Sequence, residues 1–291
     1  MKLPEIKIGT RGSKLALNQT KVFLNTVDWA DIKTKIVEVK SQGDVDLTSS
    51  LSEIGGTGVF TEKLNAMIMD GKLDLAVHSA KDIPSTLNEE IEICMAIEGH
   101  NYKDFLVGKY DLNSIKEGGR IGTSSARRMA EIKHIRPDIE VVNIRGNVET
   151  RIRKKNESNL DGIILAKAGL DRLKLNPEGF ELPEDIFVPA PGQGIIAVTA
   201  LKNSEISNYL KKFSESWSMD RLQAERRCMK IMGASCTVPF GILILPNENG
   251  YSYHICISNE KEINFSHGFS DDLSKIEGIC RELYEGKRTR E

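Results

Sequence analysis

From IKIG at residues 6–9 to IIAVTAL at residues 195–201, short apolar runs alternate with stretches of helical periodicity. That alternation confines the chain to strand-helix units stacked around mixed, mostly parallel sheets, an α/β architecture. IKIG, KIVEVK and LDLAVHS read as strands. Between them, Ser13 caps a helix through SKLALNQTKVFLNTV. GGTGVF then leads into a helix with Thr61 as its cap, Phe60, Leu64 and Ile68 on one face and Gly71 as its stop. After the strands IEICMAI and DFLVG, separated by polar GHNYKD, the pattern repeats: GTSSARR, IRGNVETR and LAKAGLDRL each join a strand end to a helix start. Three such turns in succession imply a second open sheet whose ligands gather at the carboxyl ends of its strands. VPAPGQG suits a hinge that leads a strand back to the first sheet. A helical stretch through ISNYLKKFSESWSMDRLQAERRCMKIM precedes three antiparallel strands, FGILILP, YSYHICIS and EINFSHGF, and a closing helix; together these predict a small third domain.

A chain of 291 residues with 40% hydrophobic and 28% charged residues can bury the cores of two or three domains. A net charge of -2 argues against general nucleic-acid binding, so any anion site must be local. The basic run RIRKK at residues 151–155 fits a solvated helix face. The five cysteines lack zinc-site spacing, and an odd count behind a start without an apolar leader predicts reduced thiols in a cytoplasmic protein. No heptad pattern demands association, so a monomer with no membrane span is expected.

Arginines recur at the strand-to-helix turns: Arg11 in GTRGS, Arg127 and Arg128 in GTSSARR, Arg145 in IRGN, Arg151 in the helix that follows, and Arg172 in AGLDRL. Guanidinium forks beside helix N-termini suit several carboxylates or phosphates at once. Any single one of them is equally readable as a solvated charge. GGTGVF lacks the Lys-Ser/Thr ending of a P-loop, which removes support for nucleotide binding. Asp82, in AVHSAKDIPS, has two readings: a capping carboxylate paired with Lys81, or a carboxylate in a positive cleft that stabilises a cation or moves a proton. His78 reads as a satisfied strand residue. Cys228, Cys256 and Cys280 read as core residues, whereas Cys236 sits among small residues in GASCTVPFG, either as an inert loop thiol or as an attachment point.

TRGS, GGTGVF, AVHSAKDIP, GTSSARR, IRGNVETR, ILAKAGLDRL, PAPGQG and GASCTVP, in this order and over nearly the whole chain, resemble the porphobilinogen deaminase family. The resemblance implies three domains, the first two like a type II periplasmic solute-binding protein. They are residues 1–98 with 195–213, residues 99–194, and residues 214–291. It implies a dipyrromethane cofactor joined by a thioether to Cys236. Four porphobilinogen units are then condensed with loss of ammonia, and linear hydroxymethylbilane is released by hydrolysis. Asp82 takes the position of the carboxylate that stabilises the azafulvene cation left by ammonia. Arg11, Arg127, Arg128, Arg145, Arg151 and Arg172 take positions that offset the carboxylates of the lengthening chain. Ser13, Ser79, Lys81, Thr123, Ser124 and Ser125 take contact positions, and Gln193 a place near the hinge. Where many members read GGKG followed by Lys-Glu after the Phe, this chain has Thr57, then Glu62 and Lys63, so no binding role passes to Lys63. A solute-binding module for a polycarboxylate is the rival reading, and it needs neither Asp82 nor a modified Cys236.

Overall fold

The structure is a computed structural model that describes residues 5–39, 58–232, 239–258 and 262–286. Cys236, Thr57 and the glycine loop before residue 58 lie outside the described residues. In chain order the elements are β1 (Ile6–Arg11), α1 (Lys14–Thr26), β2 (Thr34–Val39), α2 (Gly58–Met69), β3 (Leu75–Ser79) and β4 (Ile91–Ile97). Next come β5 (Asp104–Gly108), β6 (Arg120–Gly122), α3 (Ala126–Ile135), β7 (Glu140–Val142), α4 (Val148–Glu157), β8 (Gly162–Ala166), α5 (Lys167–Arg172) and β9 (Gly179–Glu181). The chain ends with β10 (Ile196–Leu201), α6 (Glu205–Leu210), α7 (Ser216–Ile231), β11 (Phe240–Asn247), β12 (Gly250–Ser258), β13 (Ile263–Ser270) and α8 (Leu273–Tyr284).

Two mixed five-stranded sheets follow one plan. The first has the order β2-β1-β3-β10-β4, with β1 parallel to β2 and β3 and β10 antiparallel to β3 and β4. The second has the order β7-β6-β8-β5-β9, with β6 parallel to β7 and β8 and β5 antiparallel to β8 and β9. Parallel pairings are therefore half of those in each sheet. The antiparallel insert is in each case the first strand after the chain has crossed over: β5 on the way out and β10 on the way back. Both inserts are near-continuous apolar runs, DFLVG and IAVTAL, as strands covered on both faces must be. The α/β class with two mixed sheets and a third, antiparallel sheet, β11-β12-β13, agrees with the sequence reading.

Local chemistry starts the helices where expected. Ser13 Oγ accepts from the Ala16 N–H at 3.2 Å, Ser125 Oγ from Arg128 at 3.5 Å and Asn147 Oδ1 from Thr150 at 2.8 Å. Two expectations need correction. Thr61 is no cap: α2 begins before it, and the buried Thr61 hydroxyl instead donates to the Asp82 carbonyl at 3.0 Å. The helical stretch after β10 is also broken, because Ser214 and Glu215 leave the helix to bind the first sheet's backbone. The Ala96 N–H donates to Ser214 Oγ at 3.0 Å and the Glu98 N–H to Glu215 Oε2 at 2.9 Å. Helix α7 restarts there, and with α8 it covers the third sheet around Ile242, Ile244, Ile255 and Ile276. Cys94, Cys228, Cys256 and Cys280 are all buried, and burial pushes the Cys94 thiol up to about 12. Among the described residues no helix is long and apolar enough to cross a membrane.

Candidate active site

Strand β3 delivers LAVHS through the interior of the first sheet and ends at Ser79. The chain then makes a single 3-10 turn, Ala80–Asp82, closed by the Ile83 N–H on the Ala80 carbonyl at 3.1 Å. Pro84 stops it there, since a proline disfavours helical geometry at Ile83, which is extended (φ -81°, ψ 125°). Asp82 therefore stands at the carboxyl end of a central strand, half-buried, beside a recess of about 80 Å³ shared with Arg11, Ser13, Gln19, Thr61 and Ser79. Ser79 Oγ is held by the Gln19 amide at 2.9 Å. Behind the recess His78 is neutral, pushed down to about 4 by burial. Thr199 gives its only proton to Asn65, so His78 donates through Nε2 to Thr199 Oγ1 at 2.9 Å, a satisfied strand residue as read from the sequence.

The second sheet supplies the opposite wall. The buried Thr123 accepts from the Ser125 N–H at 3.2 Å, and the Ser124 hydroxyl donates to the Ile144 carbonyl. Arg145 is half-buried in the turn after β7, and Arg151 Nε donates to the Gly146 carbonyl at 2.8 Å. Burial lowers Arg151 to about 10, with Arg128 and Arg145 adding to the fall and Asp82 opposing it. Burial likewise lowers Lys81 to about 8, helped by Arg128 and Arg127 and opposed by Asp82 and Asp104. These mutual influences place Asp82 and Lys81 of the first sheet in one electrostatic field with Arg128, Arg145 and Arg151 of the second.

The six arginines do not form one class. Arg127, with a side chain 5% exposed, donates to Asp104 at 2.8 Å, Glu131 at 2.8 Å and the Val188 carbonyl at 2.6 Å. Arg128, 6% exposed, donates to both Asp104 oxygens at 2.7 and 3.2 Å and to the Ile164 carbonyl at 2.9 Å. Arg172 joins Glu98 at 3.2 Å and the Gly194 carbonyl. Arg127 and Arg128 are thus tied to buried carboxylates, and Arg172 to the exposed Glu98. Asp104 was missed in the sequence; its only signal was an acid opening an apolar strand. Burial alone would raise its carboxyl, but Arg127 and Arg128 hold it well below the carboxylate range.

Glu131 runs the other way: burial lifts it to about 8, and Arg127 offsets that only in part. A carboxyl whose folded value is raised stabilises the fold fully below its unfolded value near 4.5, and this contribution is lost as pH climbs toward 8. The Glu131 contribution to unfolding free energy should therefore fall between those limits with a slope approaching one proton, opposed below the ordinary histidine value of 6.5 by His78, whose lowered value works the other way. Glu131→Gln should flatten that slope in denaturant titrations repeated across pH; an unchanged slope would place the titration elsewhere.

Two crossing segments join the sheets, and polar side chains tie them together. Gln193 is fully buried, and its amide donates to the Tyr102 carbonyl and Asp104 Oδ1, both at 2.7 Å. Gly194 has φ +92°, and a Cβ there would meet the Asn101 carbonyl oxygen at 2.3 Å, so only glycine lets the crossings touch. From α7, Arg221 donates to the carbonyls of Gly99 and Gln193, one on each crossing. Glu225 accepts from Arg221 at 2.8 Å, from the Gly192 N–H at 2.6 Å and from the Ile244 N–H of the third sheet at 3.1 Å. This i, i+4 pair looks like a solvated helix face in the sequence, yet both side chains are 0% exposed.

A family model described as porphobilinogen deaminase, dipyromethane cofactor binding domain, matches residues 6–208. A protein named probable porphobilinogen deaminase from Thermoplasma volcanium is 38% identical over 283 residues, covering 97% of this chain and 95% of its own length. A like-named protein from Picrophilus torridus is 43% identical over 237 residues, 81% of this chain and 84% of its own. Porphobilinogen deaminase from Caldicellulosiruptor saccharolyticus is 34% identical over 280 residues, 94% of this chain and 97% of its own.

Proposed function

The chain belongs to the porphobilinogen deaminase family, and on that premise we propose that Asp82 is the catalytic carboxylate of a cationic cleft formed by Lys81, Arg11, Arg145 and Arg151. The enzyme is a hydroxymethylbilane synthase, a transferase that condenses porphobilinogen units with loss of ammonia and releases the linear tetrapyrrole. The observation that carries the site assignment is the excess of positive charge: burial and neighbouring guanidiniums hold Lys81 down to about 8 and Arg151 to about 10. Among the described residues neither has a carboxylate at salt-bridge distance. Such cations are under-compensated until anions arrive. Each porphobilinogen brings an acetate and a propionate, and every addition increases the negative charge that the cleft must hold.

The same donor set fits a dipyrromethane cofactor, which carries the same carboxylates. Lys81, Arg145 and Arg151, with Ser13, Ser79 and the Thr123–Ser125 turn, would hold it. Bound through Cys236, the cofactor supplies the primer to which pyrroles are added. Arg11 shares the Asp82 recess, and Arg128 contributes field rather than an open fork. Asp82 is then an anion in a positive surrounding. It accepts a hydrogen bond from the substrate's pyrrole N–H, opposes the positive charge that grows as ammonia departs, and takes up the ring proton afterwards. Arg127, Arg172 and Gln193 set the distance between the walls through the crossings. We take the three sheets as three domains divided near residues 98, 194 and 213, and the enzyme as a cytoplasmic monomer with no nucleic-acid or membrane partner; a net charge of -2 supports the absence of a nucleic-acid partner.

Intact mass with peptide mapping tests the reading. The purified active enzyme should carry one dipyrromethane on the peptide containing Cys236, and brief exposure to porphobilinogen should add further pyrrole units in equal steps. An unmodified Cys236 peptide from active enzyme would overturn it.

A further inference from the structure

We propose that Arg226 is a positioning residue for Asp82: from helix α7 its guanidinium gathers the three carbonyls that follow the catalytic turn and sets the turn's angle to the cleft. The guanidinium donates to the Ile83, Pro84 and Ser85 carbonyls at 3.4, 2.9 and 3.2 Å. These residues lie outside the strands and helices, between the 3-10 turn and β4, and Pro84 has no N–H. Their carbonyls have no ladder to join, so the segment after Asp82 takes its direction from whatever donor faces it.

Arg226 is poorly explained as a stability device. It is half-buried, burial lowers its proton affinity, and among the described residues no carboxylate lies within salt-bridge distance of it. A cation desolvated without a counter-ion is costly, and an apolar residue of similar length would cost less at such a site. What the guanidinium supplies is geometry: a planar fork that spreads its donors from two nitrogens over three consecutive carbonyls, where an ammonium donates from a single point. One turn earlier on the same helix face, Leu222 packs in a cluster with Ala80 and Ile83, the residues flanking Lys81 and Asp82. Apolar contact and hydrogen bonds from one face of α7 thus bracket the catalytic turn on both sides. The same helix grips both crossings through Arg221 and the third sheet through Glu225, so the turn is registered to the joint about which the walls meet.

The inference rests on Asp82 being the catalytic carboxylate. Arg226→Met keeps the apolar stem and removes the fork. It should lower kcat by ~10–10²-fold, the scale of a misplaced catalytic group, with KM changed by less than about twofold and the fraction of protein carrying dipyrromethane unchanged. Arg226→Lys should fold and regain only part of the loss, and millimolar guanidinium should partly rescue Arg226→Ala. The deciding measurement is a double-mutant cycle in single turnover. If Arg226 acts through Asp82, Arg226→Met costs no more than about twofold in the Asp82→Asn background, whereas a role confined to stability multiplies through undiminished. Undiminished loss in that background, or normal kcat in both Arg226→Met and Arg226→Lys, overturns the proposal. If Asp82→Asn itself turns over normally, the parent assignment fails; if it is inactive while both Arg226 variants are normal, only the present inference fails.

Discussion

Asp82→Asn is expected to lower turnover by ~10²–10⁴-fold, the range found when a group that holds a transferred proton or opposes developing charge is removed. The substitution keeps the shape of the side chain and removes its charge, in a cleft to which Lys81, Arg11, Arg145 and Arg151 bring positive charge. Asp104, the buried acid of the second sheet, already serves Arg127 and Arg128. The fold should be untouched. The turn's tie to α2 uses the Asp82 carbonyl, which accepts from Thr61, and the asparagine retains that carbonyl. Unfolding midpoint and dipyrromethane loading should match the parent while steady-state turnover collapses. Turnover within tenfold of the parent would remove Asp82 from the reaction.

Asp104→Ala should be the most damaging substitution for stability, by about 3–5 kcal/mol, because it strips the counter-ion from two buried arginines simultaneously. Arg127 and Arg128 would keep only Glu131 and the backbone carbonyls of Val188 and Ile164. The Gln193 amide would also lose one of its two acceptors. Urea titration should show an earlier midpoint. Because Asp104 is held below the ordinary carboxylate range, its contribution is complete above about pH 4 and is lost as pH falls below that value, so the variant and parent should converge in acid. A variant as stable as the parent at neutral pH would mean that the arginines reach solvent or another anion.

Much of the fold was legible because periodicity is a local property. LDLAVHS read as a strand, Ser13 announced its helix, and GTSSARR and IRGNVETR marked where two further helices start. The candidate site was legible as a set of strand ends, since ligands of open sheets gather there, and those ends carry Asp82, Thr123 and Arg145. The fate of each arginine was not. Arg127 and Arg172 both belong to strand-to-helix motifs, yet Arg127 meets a carboxylate 23 residues earlier in the chain and Arg172 one 74 residues earlier. Helix α7 was misread for a related reason. Ser214 and Glu215 break it for partners more than a hundred residues away, and the Arg221–Glu225 pair has the spacing of a surface salt bridge.

The sequence by itself determined the elements, the family and the chemical inventory of the cleft, because backbone propensity, turn residues and the order of motifs depend on neighbours along the chain. Only the tertiary structure decided which cations are left uncompensated and which are consumed. It also revealed that one helix reaches the turn carrying Asp82, both crossings and the third sheet. Charge compensation depends on distance in space, and the acids that settle it are far away along the chain.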